Sequence, residues 1–329
     1  MHEPLDELDR QITAALLRNG RASWRQIAKS IGSQERTVAR RGSRLLTEDL
    51  VRVRALSQPT LVNRGDGYFA RISCPPDALK EVASWLAERP ETLWVSSLLG
   101  ESQIVSECFL RHDSRGAFIE EELAKLPVTQ CSFTLLGAHH RTVRGWHANI
   151  LSDEQLNSLG RDESAALASG NRAQDSPEFT PDEIDLEIIA ELSKDGRKSI
   201  ESIASKVGIA KPTVRKRISQ LQETDYLSIR AVVDPVLLGF PLETLVSVLA
   251  PPSQLTAIGE LLAADWRTRW AATLPSSSGV EALVTLRSRF ELAEFLSEID
   301  TRIGDDRSAI RASPILTHYK RSDVVLPPE

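Results

Sequence analysis

Arg36, Arg40 and Arg44 stand four residues apart, so on a helix their guanidinium groups share one face, opposite an inward stripe of Val38, Gly42 and Leu45. Arg41 flanks that face. Much later in the chain, Lys211, Arg215, Lys216 and Arg217 lie on the outer face and margins of a stretch whose inward positions are Val214, Ile218 and Leu221. Such a face neutralises phosphates and offers bidentate donors to guanine edges. Thr37 and Thr213 fall near the start of each stretch, where base contacts are usually made. A solvated basic face that touches nothing is the plainer alternative, and the recurrence of the pattern argues against it.

The recurrence extends well beyond the cations. Leu5 to Ala55 returns without a gap, 176 positions later, as Pro181 to Ala231. Roughly twenty of about fifty pairs are identical, which at this spacing indicates a duplicated domain rather than a solenoid repeat. In each copy three apolar periodic segments are divided by short polar breaks, predicting three helices. In the second copy the first helix stops at Asp195-Gly196, read as a glycine C-cap. Ser199 caps the next, Gly208 ends it, and Pro212 suits the first turn of the third, Lys211 to Gln222. Two helices joined by a short glycine turn make a helix-turn-helix, whose second helix normally enters the major groove. Gly42 is the odd member of its stripe, since glycine costs about 1 kcal/mol in a helix interior. It implies a softer or closely packed first recognition helix.

After each head a β-like segment, Val51 to Pro59 or Leu227 to Pro235, leads into mixed periodicity. In the first half, strands are expected at Tyr68 to Cys74, Thr92 to Leu99, Ser102 to Leu110 and Cys131 to Leu136. Helices are expected around Leu79 to Leu86 and Phe118 to Leu126. The second half repeats the order, with strands at Leu242 to Leu249, Trp266 to Leu274, Val280 to Leu286 and Ile310 to His318. That order is βαββαβ. The expected fold class is α+β: two winged-type helix-turn-helix domains, each followed by a ferredoxin-like βαββαβ domain. The expected spans are 1–56 and 181–232 for the heads, 66–145 and 240–321 for the sheet domains, and 152–180 for a linker. Within that linker a helix is expected over Ser152 to Gly160 and a flexible connector over Arg161 to Pro181. The sheet domains should pair, within one chain or between two.

Composition narrows the function classes. The formal net charge of −6 argues against indiscriminate polyanion binding, so nucleic-acid contact has to come from locally basic surfaces. No apolar run approaches the roughly 18 residues of a membrane span, and a soluble, cytoplasmic protein is expected. Cys74, Cys108 and Cys131 show no metal or disulfide spacing and read as buried free thiols. No metal, cofactor or catalytic residue is suggested. His139, His140 and His318 fall where the fourth strands end and are read as surface or domain-contact residues rather than catalytic ones.

Heads opening Leu5-Asp-Glu-Leu-Asp and Pro181-Asp-Glu-Ile-Asp, a crossing segment ending Val233-Asp-Pro-Val-Leu-Leu-Gly239 and a βαββαβ unit together resemble the leucine-responsive/asparagine (Lrp/AsnC) family of transcription regulators. The first copy departs from the pattern at Ser57 to Asn63. The resemblance implies double-stranded DNA as partner, a homo-oligomer of dimers or higher rings, and an amino acid or small metabolite as effector. In that family the effector sits by the turn between the second and third strands. Carried over, it would meet Gly100, Glu101 and Ser102 in the first half, and Ser277, Ser278 and Gly279 in the second. Siroheme decarboxylases resemble the same family and supply an enzyme alternative, but no histidine stands on either second strand here. A ligand-independent architectural DNA-binding protein is the third class.

Overall fold

Asp6 starts the first helix by accepting a hydrogen bond from the Asp9 amide, 2.9 Å away, and α1 runs Glu7–Arg18. Ser23 and Gln26 form a reciprocal capping box that opens α2, Trp24–Ser30. The third helix, α3, spans Glu35–Thr47 and buries Val38, Gly42 and Leu45, the expected inward stripe. A strand, β1 (Val51–Ser57), leaves the head. This computed structural model describes residues 5–57, 64–160, 179–304 and 307–326. Most of Ser57 to Asn63, where the first copy departs from the family pattern, lies outside the described residues, as does most of the expected flexible connector.

The chain continues through β2 (Asp66–Ser73), α4 (Leu79–Glu88), β3 (Thr92–Leu98) and β4 (Gln103–Leu110). A turn of π-helix, Ala117–Glu122, and a short 3-10 turn, Leu123–Lys125, occupy the place of the helix expected at Phe118 to Leu126. Then come β5 (Gln130–Leu135), an unanticipated β6 (His139–Arg141) and α5 (Asp153–Ser158). The second copy supplies α6 (Glu183–Lys194), α7 (Ile200–Val207), α8 (Lys211–Glu223) and β7 (Leu227–Val233). Its sheet domain comprises β8 (Leu242–Leu249), α9 (Leu255–Ala264), β9 (Thr268–Leu274), β10 (Gly279–Leu286), α10 (Arg289–Ile303), β11 (Ala309–Arg321) and β12 (Val324–Val325). No helix among the described residues is long and apolar enough to cross a membrane.

These elements gather into two compact units. The first joins both heads. Strands β1 and β7 pair antiparallel from Val51 opposite Val233 to Ser57 opposite Leu227, which sets Arg54 directly against its own counterpart, Arg230. Each head docks on the strand of the other copy. The Gly20 amide donates to the Ile229 carbonyl at 2.9 Å, and the Gly196 amide to Val53 at 2.8 Å. Arg21 donates to the carbonyls of Gly196 and Lys198 at 2.7 and 3.1 Å. Arg197 returns the same pair of bonds, to Gly20 and Ala22, at the same distances. The unit therefore has a pseudo-two-fold axis within one chain.

That exchange corrects the reading of Asp195-Gly196. The φ of Gly196 is not positive, so it is no left-handed cap. A Cβ there would lie 3.0 Å from the Arg54 amide nitrogen and 2.8 Å from Val53 Cγ1, and at Gly20 it would lie 2.8 Å from Arg230 Cα. Both glycines exist to let a foreign strand approach. Gly42 is equally specific, because a Cβ would come within 2.3 Å of the Trp24 ring. The second copy places Ile200 and Ile218 at these two positions, so one copy uses a large and a small residue where the other uses two of middle size. Also in this unit, α5 packs on the first head, where Asn19 donates to the Leu159 carbonyl and Ser30 to that of Gln155. Trp146 is buried against Phe240.

The second unit holds both sheet domains. Its strand order is β5-β2-β4-β3-β11-β8-β10-β9-β6, two ferredoxin-like sheets joined edge to edge. Strand β11 outruns its expected end at His318 because it serves two sheets. It pairs with β8 as far as Pro314, then with β3 from Ile315 onward. On the opposite edge β5 pairs with β2, and β6, three residues on along the chain, pairs with β9. The sheet pairing is thus intramolecular. Phe69, Trp94, Leu98 and Val105 of the first half pack with Leu245, Trp270, Leu274 and Leu283 of the second, while helices cover the outer faces around Val82 and Leu86 or Ile258 and Phe295. Cys74 and Cys108 are buried, but Cys131 is exposed on β5, a strand with exposed or half-buried residues throughout.

The complementary pairs yield a test. Gly42→Ile should destabilise the head unit by about 1–3 kcal/mol through overpacking against Trp24, and adding Trp24→Ile should recover most of that loss. Chemical denaturation of the two single variants and the double variant measures the cycle.

Candidate nucleic-acid interface

Helix α3 presents Arg36 and Arg40 as exposed side chains, with Thr37 half-buried beside them. Helix α8 presents Lys211, Thr213, Arg215 and Lys216, all exposed. Among the described residues, Arg36, Arg40, Arg215 and Lys216 take part in no ion pair, and Lys211 makes one with Glu201 at 2.7 Å. Both partners of that pair are more than half exposed, so it holds Lys211 only weakly, at about 0–1 kcal/mol.

Arg41, Arg44 and Arg217 are placed differently. Asp6 and Asp9, at the start of α1, grip Arg41, and Asp9 also grips Arg44. Asp182 and Asp185 hold Arg217 at 2.9 and 2.8 Å. These side chains lie at the margin of the cationic face and tie the third helix to the first. The hydrogen bond from Arg41, with that from the Asp9 amide, holds the Asp6 carboxyl below its ordinary range. The Asp185 amide, with Arg217 behind it, does the same for Asp182. The aspartates went unassigned in the sequence, although a signal was present. Asp6, Asp9 and Arg41 recur with unchanged spacing as Asp182, Asp185 and Arg217.

In the sheet unit, the β3–β4 turn contains Gly100, Glu101 and Ser102, with Gly100 and Ser102 at φ +79° and +47°. Glu101 is already engaged by the Ser313 hydroxyl at 2.6 Å and by Arg311 at 2.7 Å. In the β9–β10 turn, Ser277 donates to the Leu274 carbonyl, Ser278 is left-handed and Gly279 enters β10. The two turns thus differ in the groups they leave available.

Strand exchange also brings a histidine to each second strand, which the sequence by itself lacked. His318 stands opposite Ser96 of β3, and its Nδ1 lies 2.7 Å from that hydroxyl. His139 stands opposite Ala272 of β9. His139 Nε2 lies 2.7 Å from Glu107 Oε1, and Trp94 Nε1 donates to the other Glu107 oxygen at 2.9 Å. Glu243 is buried among Arg321, Arg269 at 2.6 Å and His318 at 3.0 Å. Burial alone would raise its carboxyl, but Arg321, His318 and Arg269 around it outweigh that and hold it well below the usual carboxylate range, while burial pulls the His318 imidazole below its own ordinary value and leaves the two guanidinium groups as the lasting charges. The counterparts of Glu107 and Glu243 in the other copy are Leu283 and Gly67, so neither cluster is duplicated.

Comparison with known proteins agrees with this geometry. The model of the AsnC-type helix-turn-helix domain matches residues 5–46 and 182–222. The regulator LrpA of Pyrococcus horikoshii is 32% identical over 120 residues, covering 35% of this chain and 83% of the relative. The chain belongs to the Lrp/AsnC family of transcriptional regulators. An uncharacterised helix-turn-helix regulator of Pyrococcus abyssi is 28% identical over 141 residues, covering 43% of this chain and 88% of itself. A family relative therefore matches less than half of this chain, as two fused Lrp/AsnC copies require. Among solved structures, the siroheme decarboxylase NirDL aligns over 96% of this chain and 93% of its own with a TM-score of 0.60. At 12% identity that likeness is one of fold.

The buried Glu243 gives a pH-dependent expectation. Glu243→Gln leaves two guanidinium groups without their carboxylate and should cost about 3–5 kcal/mol at pH 7. Because the folded carboxyl sits below its unfolded value, its stabilisation is full above about pH 4.5 and is lost as pH falls through the folded value. Denaturation from pH 7 to 3 should show wild type and variant converging only at the acid end.

Proposed function

We propose that this Lrp/AsnC regulator binds DNA sequence-specifically as a built-in dimer and that an amino acid or other small metabolite, bound in its sheet unit, adjusts its affinity for DNA. The observation that carries the reading is the set of exposed cations, Arg36, Arg40, Arg215 and Lys216, on two recognition helices whose heads are locked together by reciprocal bonds from Arg21 and Arg197 to each other's carbonyls. Arginines on α3 and the arginine and lysine on α8 would neutralise phosphates and reach guanine edges, with Thr37 and Thr213 near the bases. Lys211, exposed at the first position of α8, can reach a base edge or a phosphate, and Arg41, Arg44 and Arg217 lie at the margins, where their partial exposure permits phosphate contact. Paired heads imply half-sites about one helical turn, or a multiple, apart. The effector would contact the turns holding Gly100, Glu101 and Ser102 or Ser277, Ser278 and Gly279, with a coupling of about 1–3 kcal/mol typical of such linkage. Assembly beyond the single chain and a cytoplasmic location belong to the same proposal.

An enzymatic reading draws on the fold shared with the siroheme decarboxylase and on the histidines brought to the second strands. Each of those imidazoles is tied to a glutamate from the interior of the unit, an arrangement that structural and catalytic histidines share, so the choice rests on the exposed cations of the two heads. We therefore propose regulation rather than catalysis.

The test is a mobility-shift titration on DNA upstream of the protein's own reading frame at several salt concentrations. Arg40→Ala and Lys216→Ala should each weaken binding and flatten the slope of log affinity against log salt by about one unit. Equal affinity and slope in all three proteins would remove the proposed interface.

A further inference from the structure

We infer that the two heads read unlike half-sites, so that the preferred operator is not an inverted repeat. The inference rests on the DNA-binding reading above and adds to it the source of base preference. Reciprocal bonds from Arg21 and Arg197 and the β1–β7 pairing give the heads equivalent settings. Residues 176 apart therefore meet equivalent places on their two half-sites. In a dimer of identical subunits those residues are the same, and matching arms follow. Here they are not the same.

The sharpest difference stands at the first position of each recognition helix. Glu35 opens α3 and Lys211 opens α8, and both are exposed. A carboxylate only accepts hydrogen bonds and suits the amino group of cytosine, whereas an ammonium only donates and suits O6 and N7 of guanine. The cytosine amino group serves only the first and the guanine edge only the second. One residue further on, Arg36 can fork onto guanine, while its counterpart Pro212 offers no side-chain donor at all. Ala39 faces Arg215 across the duplication, and Arg44 faces Gln220.

The phosphate-facing surroundings diverge in the same sense. The first turn of α2 carries Arg25, and the same place on α7 carries Glu201, the residue that pairs with Lys211. The charges on the two helices of each head are thus reversed between the copies: Arg25 on α2 with Glu35 on α3, and Glu201 on α7 with Lys211 on α8. Across α2 and α3 there are six cations and one carboxylate; across α7 and α8 there are five and two. The first head should therefore contribute more of the salt-dependent, sequence-independent affinity.

The experiment is enrichment of bound sequences from a randomised duplex pool by the full chain, followed by sequencing, for wild type, Glu35→Lys and Lys211→Glu. Wild type should select two arms of different sequence. Glu35→Lys should change preference by about 10-fold at one position of one arm, and Lys211→Glu at one position of the other, the scale of a single base-edge contact. A symmetric inverted repeat for wild type, or either variant altering both arms, would overturn the inference while leaving DNA binding intact. Enrichment of no sequence, with affinity insensitive to salt, would instead strike the DNA-binding reading beneath it. Both substituted positions are exposed, and retained salt-dependent affinity for unselected duplex shows that each variant is folded.

Discussion

Two glycines hold the DNA-binding half of this molecule together. Gly20 and Gly196 each admit the backbone of the opposite copy's strand to a distance that any side chain would block, and their amides bond to it. The arginine after each glycine then crosses to the carbonyls flanking the other. Because neither head completes its own contact, the pair forms together. Burial pulls the pKa of Arg21 and Arg197 down from the ordinary guanidinium value, yet both remain charged at neutral pH, and each offsets its lost hydration with two carbonyl bonds. Arg197 also lies over the Trp24 ring at 4.5 Å, which links the exchange to the packing of the first recognition helix.

The same logic appears in the sheet unit at larger scale. Each closing strand serves its own sheet first and the neighbouring sheet afterwards. Covalent fusion makes the partner's concentration effectively fixed, and it frees the copies to diverge. Trp24 and Gly42 have drifted from Ile200 and Ile218 while keeping the local volume. Glu107 and Glu243 each serve one cluster that has no counterpart. The recognition helices have diverged in the polarity of their hydrogen-bonding groups while their inward stripes stayed apolar. A dimer of identical chains could make none of these changes on one side alone.

The family resemblance lay in the heads, and the inward residues of α3 and α8 were legible from spacing because a helix brings i, i+4 and i+7 to one side whatever surrounds it. The ends of β3, β8 and β10 were close to those read from alternation for a similar local reason. The anchoring of Arg41, Arg44 and Arg217 was not read, because their aspartates lie on another helix more than thirty residues away. Their repeated spacing was visible, but not the contact.

The sequence by itself determined that there are two copies, that each has a three-helix head and a βαββαβ sheet domain, and where the cationic positions fall on the third helices. All of these follow from local periodicity and from identity at a fixed offset. Only the tertiary structure decided that the copies pair within the chain, that Gly196 serves close approach rather than a left-handed turn, that β11 runs on past its own sheet, and that histidines reach the second strands from the other half. Each of those depends on which distant backbone comes alongside, a choice made by the closeness of packing between segments and not by the preferences of any one of them.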